Sequence, residues 1–85
     1  MKKFDYTITD ELGLHARPAG QLVKVALTFS SNISVGTPAK SVDAKRIMGV
    51  MQLAAKKGNV LTISCEGEDE EAAMAALETF MNVNL

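Results

Sequence analysis

The sequence has no tryptophan, one tyrosine, one cysteine, one histidine and two prolines. Each scarcity removes a class of explanation. A lone cysteine, Cys65, forms no internal disulfide, so the fold is not a disulfide scaffold, and a reducing compartment is expected. One histidine and one cysteine do not make a metal-ligand cluster, so no metal site is expected. The near absence of aromatics leaves no platform for stacking nucleobases, and the net charge of −1 gives no global attraction to nucleic acid. Lys40, Lys45, Arg46, Lys56 and Lys57 form a modest basic set, of the kind normally found as a solvated face. A binding module for a small ligand or oligonucleotide is therefore the weakest reading. No apolar run reaches the ~18 residues that span a bilayer. Met1-Lys2-Lys3 leads directly into Phe4-Asp5-Tyr6, with no signal-peptide core. Cytoplasmic localisation without membrane insertion is the expectation.

What remains is ordinary globular composition, 47% hydrophobic and 22% charged over 85 residues, with no linker, repeat or low-complexity tract. One domain over residues 1–85 is expected. Phe4, Tyr6 and Ile8 alternate with Asp5 and Thr7, which predicts a first strand over 3–9. Ala16, Ala19, Leu22, Val23, Ala26 and Leu27 recur at helical spacing and predict a helix over 16–27. Ile33 and Val35 flank Ser34 in a short second strand. Gly36-Thr37-Pro38-Ala39 reads as a turn and Lys40-Ser41-Val42 as a third strand. Ile47, Met48, Val50, Met51, Leu53 and Ala54 are too dense for one strand face. They predict a short helix with Asp43 as N-cap and an end at Lys56-Lys57-Gly58-Asn59. Val60 to Glu66 alternates cleanly, with Leu61, Ile63 and Cys65 on the core face. Glu68 to Glu71 supplies the acidic first turn of a last helix whose apolar stripe is Ala73, Ala76, Leu77, Phe80 and Met81. The order β-α-β-β-α-β-α implies an α+β fold, a four-stranded antiparallel sheet with helices on one face. Three helices compete for that face, and the middle one has more apolar surface than docking onto the sheet requires.

The chemistry concentrates in Gly13-Leu14-His15-Ala16-Arg17-Pro18-Ala19, at the junction of the first strand and first helix. Pro18 falls in the first turn, where a missing N–H costs nothing. His15 then stands at a helix N-terminus beside free N–H groups of Ala16 and Arg17, a ready anion site. Neutral imidazole is a good nucleophile, and Arg17 adds a guanidinium that can fork onto phosphate. Phosphoryl transfer needs mainly positioning and charge stabilisation, and such a junction offers both. From spacing alone, however, a His beside an Arg at a helix start is more commonly a solvated surface pair.

Two stretches decide between these readings. Residues 13–19 resemble the active-site signature of the HPr family, the histidine-containing phosphocarriers of the bacterial phosphoenolpyruvate-dependent sugar phosphotransferase system. Lys45-Arg46-Ile47-Met48-Gly49-Val50-Met51 is similar to that family's second signature. Gly58 and Glu66-Gly67-Glu68-Asp69-Glu70 match as well, and the likeness runs from residue 2 to residue 82. The resemblance implies an open-faced β-sandwich with strand order 1-4-2-3 under three helices. It implies that His15 accepts a phosphoryl group on Nδ1 from phospho-Enzyme I and passes it to the IIA domains of sugar permeases, without a cofactor. By the same resemblance Arg17 assists the phosphoryl group. Partners dock on Gly20, Lys24 and Leu27 of the first helix with Ile47, Met48 and Met51 of the second. The implied protein is a monomeric intermediary rather than a stand-alone enzyme. Val50 and Leu53 are expected mostly inside, Met48 and Met51 at least partly outside.

Three positions depart from the family pattern. Arg46 stands where many relatives carry a regulatory serine phosphorylated by HPr kinase, so that switch cannot operate there. Leu12 replaces a small polar residue near the phosphate, removing one hydrogen bond. Pro38-Ala39 replaces a glycine-containing turn. The alternative function is an HPr-like paralogue in a regulatory or specialised phosphotransfer branch, without kinase control at position 46. Donation to IIA domains separates the two.

Overall fold

The computed structural model describes residues 1–85. Its elements are β1 (Lys2–Thr7), α1 (Ala16–Leu27), β2 (Asn32–Thr37), β3 (Lys40–Asp43), α2 (Ile47–Gln52), β4 (Val60–Glu66) and α3 (Glu70–Asn84). The strands form one antiparallel sheet in the order β1-β4-β2-β3. The period-two alternation of each strand fixes which face is covered. Phe4, Ile63, Val35 and Val42 lie opposite one another across all four strands. One residue away, Lys3, Ser64, Ser34 and Asp43 form the matching row on the open face. Leu61, Ile63 and Cys65 are fully buried, as the alternation in β4 predicts.

The helices supply the other half of the core. Ala19, Leu22, Val23 and Ala26 face inward from α1, and Ala73, Met74, Leu77, Phe80 and Met81 from α3. Each Leu, Ile or Met so buried contributes about 1.5–3 kcal/mol of transfer free energy. α2 contributes a single fully buried side chain, Val50, and packs on α1 and β3.

Three sequence expectations are corrected. The first strand ends at Thr7, and Ile8, although buried, lies in the loop beyond it. Asp43 does not cap α2. The N-cap is Arg46, and Asp43 instead accepts the Lys45 N–H on Oδ1 at 2.9 Å, a turn made by its own side chain. α2 is also shorter than its apolar pattern suggests. It stops at Gln52 because Ala54 adopts a left-handed backbone, φ 49°, which a helix cannot continue through. Lys56 to Asn59 therefore form a separate turn, closed by Asn59 N–H on the Lys56 carbonyl. The Pro38-Ala39 turn is a two-residue hairpin between Thr37 and Lys40. Neither residue has a positive φ, so it is not one of the mirror-image turns that favour glycine.

The start of α3 is tied to the loop after α1. Asp69 accepts the N–H groups of Ser30 at 2.8 Å and Ser31 at 2.9 Å, and the Ser31 hydroxyl. The Ser31 hydroxyl and the Ser30 N–H hold the Asp69 carboxyl down at about 2. Gly67, φ 155°, makes this approach possible, since a Cβ there would stand 2.6 Å from Ser31 Oγ.

Candidate functional site

The loop from Ile8 to His15 is pinned along its length by main-chain bonds. Ile8 exchanges bonds with Gly58 and Asn59, its N–H reaching the Asn59 carbonyl at 3.0 Å and its carbonyl accepting from Gly58 at 2.9 Å. Thr9 and Asp10 donate their N–H groups to the Leu85 oxygen at 2.7 and 2.9 Å, and the Thr9 hydroxyl adds a third bond at 2.9 Å. The Asp10 carboxylate accepts the Leu12 N–H at 2.8 Å. Leu14 N–H reaches the Ala55 carbonyl at 2.9 Å. Gly13 permits that last contact. Its φ is 67°, and a Cβ would lie 2.5 Å from the Ala55 oxygen.

This loop delivers His15 in extended geometry, φ −84° and ψ −176°, as the N-cap of α1. The His15 carbonyl accepts the first helical bond from Ala19 at 3.0 Å, while its ring makes no capping hydrogen bond. Its side chain is half-exposed. Of the donors at this terminus, the His15 N–H turns back to Gly13, Pro18 has none, and the Ala16 and Arg17 N–H groups have no partner in the protein. No acidic side chain stands in the first turn of α1 to occupy them. Arg17 is exposed and pairs with no carboxylate, as is Lys24 on the same helix. The arrangement is a half-exposed imidazole, two N–H donors without acceptors and an exposed guanidinium, all on one helix end.

The two helices also carry exposed apolar side chains. Leu27 at the far end of α1 is 60% exposed, and Met48 on α2 is 70% exposed. Ile47 and Met51 are exposed as well, while Val50 is sealed inside and Leu53 is half-buried. Gly20 is half-buried, with open space where a Cβ would be. α1 and α2 pack against each other, so these side chains lie on adjoining helices. Leu12, 71% exposed, adds another apolar side chain from the His15 loop itself. Arg46 reaches Asp43 at 3.7 Å in an exposed pair worth little stability.

The support for the loop is less visible in sequence than the site. Ala55, Leu85 and Asp10 hold His15 in place through main-chain and carboxylate acceptors. Gly13 was the one available signal. Two of these partners are distant in the chain, and hydrophobic periodicity carries no information about a carbonyl.

Comparison with known proteins agrees with this architecture. The family model described as the PTS HPr component phosphorylation site matches residues 2–82. The phosphocarrier protein HPr of Lysinibacillus sphaericus is 49% identical over 81 residues, covering 95% of this chain and 92% of that protein. Among solved structures, the histidine-containing phosphocarrier protein of Mycoplasma superposes with a TM-score of 0.91 at 45% identity, covering 94% of this chain and 91% of its own. An HPr dimer from Thermoanaerobacter tengcongensis is 46% identical with a TM-score of 0.77, covering 98% and 95%. Strand order, helix placement and near full-length identity thus converge, and the chain belongs to the HPr family of phosphotransferase-system phosphocarriers.

Proposed function

We propose that His15 accepts a phosphoryl group from phospho-Enzyme I and passes it to the IIA domains of sugar permeases. The observation that carries this reading is the unfilled α1 terminus, where the His15 ring stands beside two partnerless N–H groups and an unpaired Arg17. The lone pair of the ring nitrogen, Nδ1, forms the N–P bond as the donor's bond to phosphorus breaks. The Ala16 and Arg17 N–H groups and the Arg17 guanidinium take the charge on the phosphoryl oxygens. Onward transfer reverses the step, with the acceptor's nucleophile displacing His15. The partners themselves meet Gly20, Lys24, Leu27, Ile47, Met48 and Met51. Exposed methionines suit a surface that accepts several different proteins. The carrier acts in the cytoplasm as one domain over residues 1–85. It acts as a monomer, and sedimentation equilibrium at working concentration, giving the mass of one chain, checks this against the dimer seen in a relative.

Incubation with phosphoenolpyruvate and Enzyme I is expected to place one acid-labile phosphoryl group on His15. The His15→Ala variant is expected to take none, as read by mass-spectrometric site mapping. Wild-type protein left unmodified by a competent Enzyme I overturns the reading. Arg46, exposed and without a hydroxyl, also suits a paralogue serving a specialised branch. Phosphorylated protein that fails to donate to any IIA domain would favour that role.

A further inference from the structure

The two kinds of sulfur in this chain are segregated. Cys65 is fully enclosed between the sheet and α3, and burial pushes its thiol up, with the Glu70 and Asp69 carboxylates adding to the effect. Its reactive thiolate form is therefore scarce. Met74 and Met81 are likewise buried in the core. The exposed thioethers are Met48 and Met51, one turn apart on α2, and Met1, whose ammonium group reaches Glu70 at 3.2 Å at the end of β1 away from His15. An oxidant in solution thus meets sulfur on α2 and at Met1 before it meets sulfur anywhere in the core.

We infer that Met48 and Met51 form a peroxide-sensitive pair whose conversion to sulfoxides weakens docking of phosphotransfer partners. This rests on the partner surface given above. In each conversion the thioether sulfur attacks one peroxide oxygen. The S–O bond forms as the O–O bond breaks, the sulfur loses two electrons, and the departing hydroxide leaves as water after taking a proton. The product is polar, carries a hydrogen-bond acceptor and adds a chiral centre to a formerly flexible apolar side chain. Within a docked complex that acceptor would lose its water without gaining a donor. Sulfoxide formation is reversible by methionine sulfoxide reductases, so the change is a switch rather than damage. Nothing in it touches His15, Ala16 or Arg17, so the chemistry of the bound state stays intact.

The test treats the folded, unphosphorylated protein with hydrogen peroxide and maps oxygen addition by mass spectrometry. It then measures steady-state phosphoryl transfer from Enzyme I. Oxygen is expected on Met48 and Met51, as well as Met1, and not on Met74, Met81 or Cys65. KM for the carrier is expected to rise roughly five- to tenfold with kcat nearly unchanged, the pattern of lost docking. Treatment with methionine sulfoxide reductase is expected to restore the KM. In Met48→Leu/Met51→Leu, peroxide is expected to change nothing relative to that variant's own untreated value, although Met1 is still oxidised. Oxidised wild type with an unchanged KM overturns the inference, and so does a peroxide effect that persists in the double variant. The unoxidised Met48→Asp variant separates the two levels. If it transfers normally while folded by circular dichroism, the docking surface itself is wrong. If it is impaired while the sulfoxide form is not, only the redox inference falls.

Discussion

α1 begins with His15 at its N-cap, no acidic residue in the first turn and two N–H groups without partners. α3 begins with Asp69, Glu70 and Glu71, and its carboxylates are all engaged nearby. Asp69 holds Ser30 and Ser31, Glu70 accepts the Gly67 N–H and meets the Met1 ammonium at 3.2 Å, and Glu71 faces Lys2 at 3.8 Å. The Gly67 N–H first and the ammonium group second lower the Glu70 carboxyl below its usual range. Both termini carry the same positive dipole end. One is neutralised by the chain's own anions and serves stability. The other is left without an anion of the chain's own, which costs stability. A fold of this size has little stability to spare, and of its two longer helices only α1, the one that starts at His15, has no acidic residue in its first turn.

The contrast breaks most directly if α1 is finished in the manner of α3. Ala16→Glu places a carboxylate at an exposed first-turn position. It is expected to raise the melting temperature by about 2–5 °C, as a first-turn acid does. Transfer from Enzyme I is expected to fall by about a hundredfold or more, because the N–H groups are occupied and the incoming phosphoryl group meets like charge. A stabilised variant with undiminished transfer would refute the role given to the open terminus. Arg17→Ala acts on the same site without filling it. Its expected effect is a rate loss of roughly ten- to a hundredfold in stopped-flow or quench-flow transfer, with the melting temperature unchanged.

At the closed terminus the effects reverse. Asp69→Asn is expected to lower the melting temperature at neutral pH, on the order of 5 °C, with transfer unaffected. Its pH dependence carries the sign. Asp69 titrates lower in the folded state, at about 2, than an ordinary aspartate near 3.8. Its contribution is therefore complete above the ordinary value and disappears as pH falls through about 2. The gap between wild type and variant should close over that interval in thermal melts. A gap that stays constant would mean the carboxylate charge is not what holds Ser30 and Ser31. The smallest effect lies under the His15 loop. Ala54→Gly relieves a left-handed alanine and is expected to add about 0.5 kcal/mol in urea unfolding, the strain relieved being partly offset by the greater freedom of glycine when unfolded.

The open terminus was legible in sequence, and the closed one only in part. Pro18, the spacing of Ala19, Leu22, Val23 and Ala26, and the lone histidine all lie within one short stretch, so local rules place His15 at a helix start. β4 and α3 are equally local, each with a single unbroken period. The Asp69 clamp joins residues 38 and 39 positions apart, and no periodicity reports such a bond. Glu68 to Glu71 announced an acidic helix start without revealing that Asp69 turns away from its own helix. α2 misled for a different reason. Dense apolar residues look alike whether a partner or the core covers them, and only the structure separates Val50, fully enclosed, from Met48. The left-handed Ala54 was hidden because alanine is the residue a helix most readily continues through.

The bonds from Thr9 and Asp10 to the Leu85 oxygen have a bearing on time as well as geometry. They span 76 residues for Thr9, so during synthesis the stretch preceding His15 waits for a residue far along the chain. A partly made chain already contains the histidine, the arginine and the helix that carries them, but not the acceptor that holds their approach. Contacts of such long sequence separation form late because loop closure must come first. The stretch that leads into His15 is thus anchored by a contact of long sequence separation, and its geometry is completed late in folding.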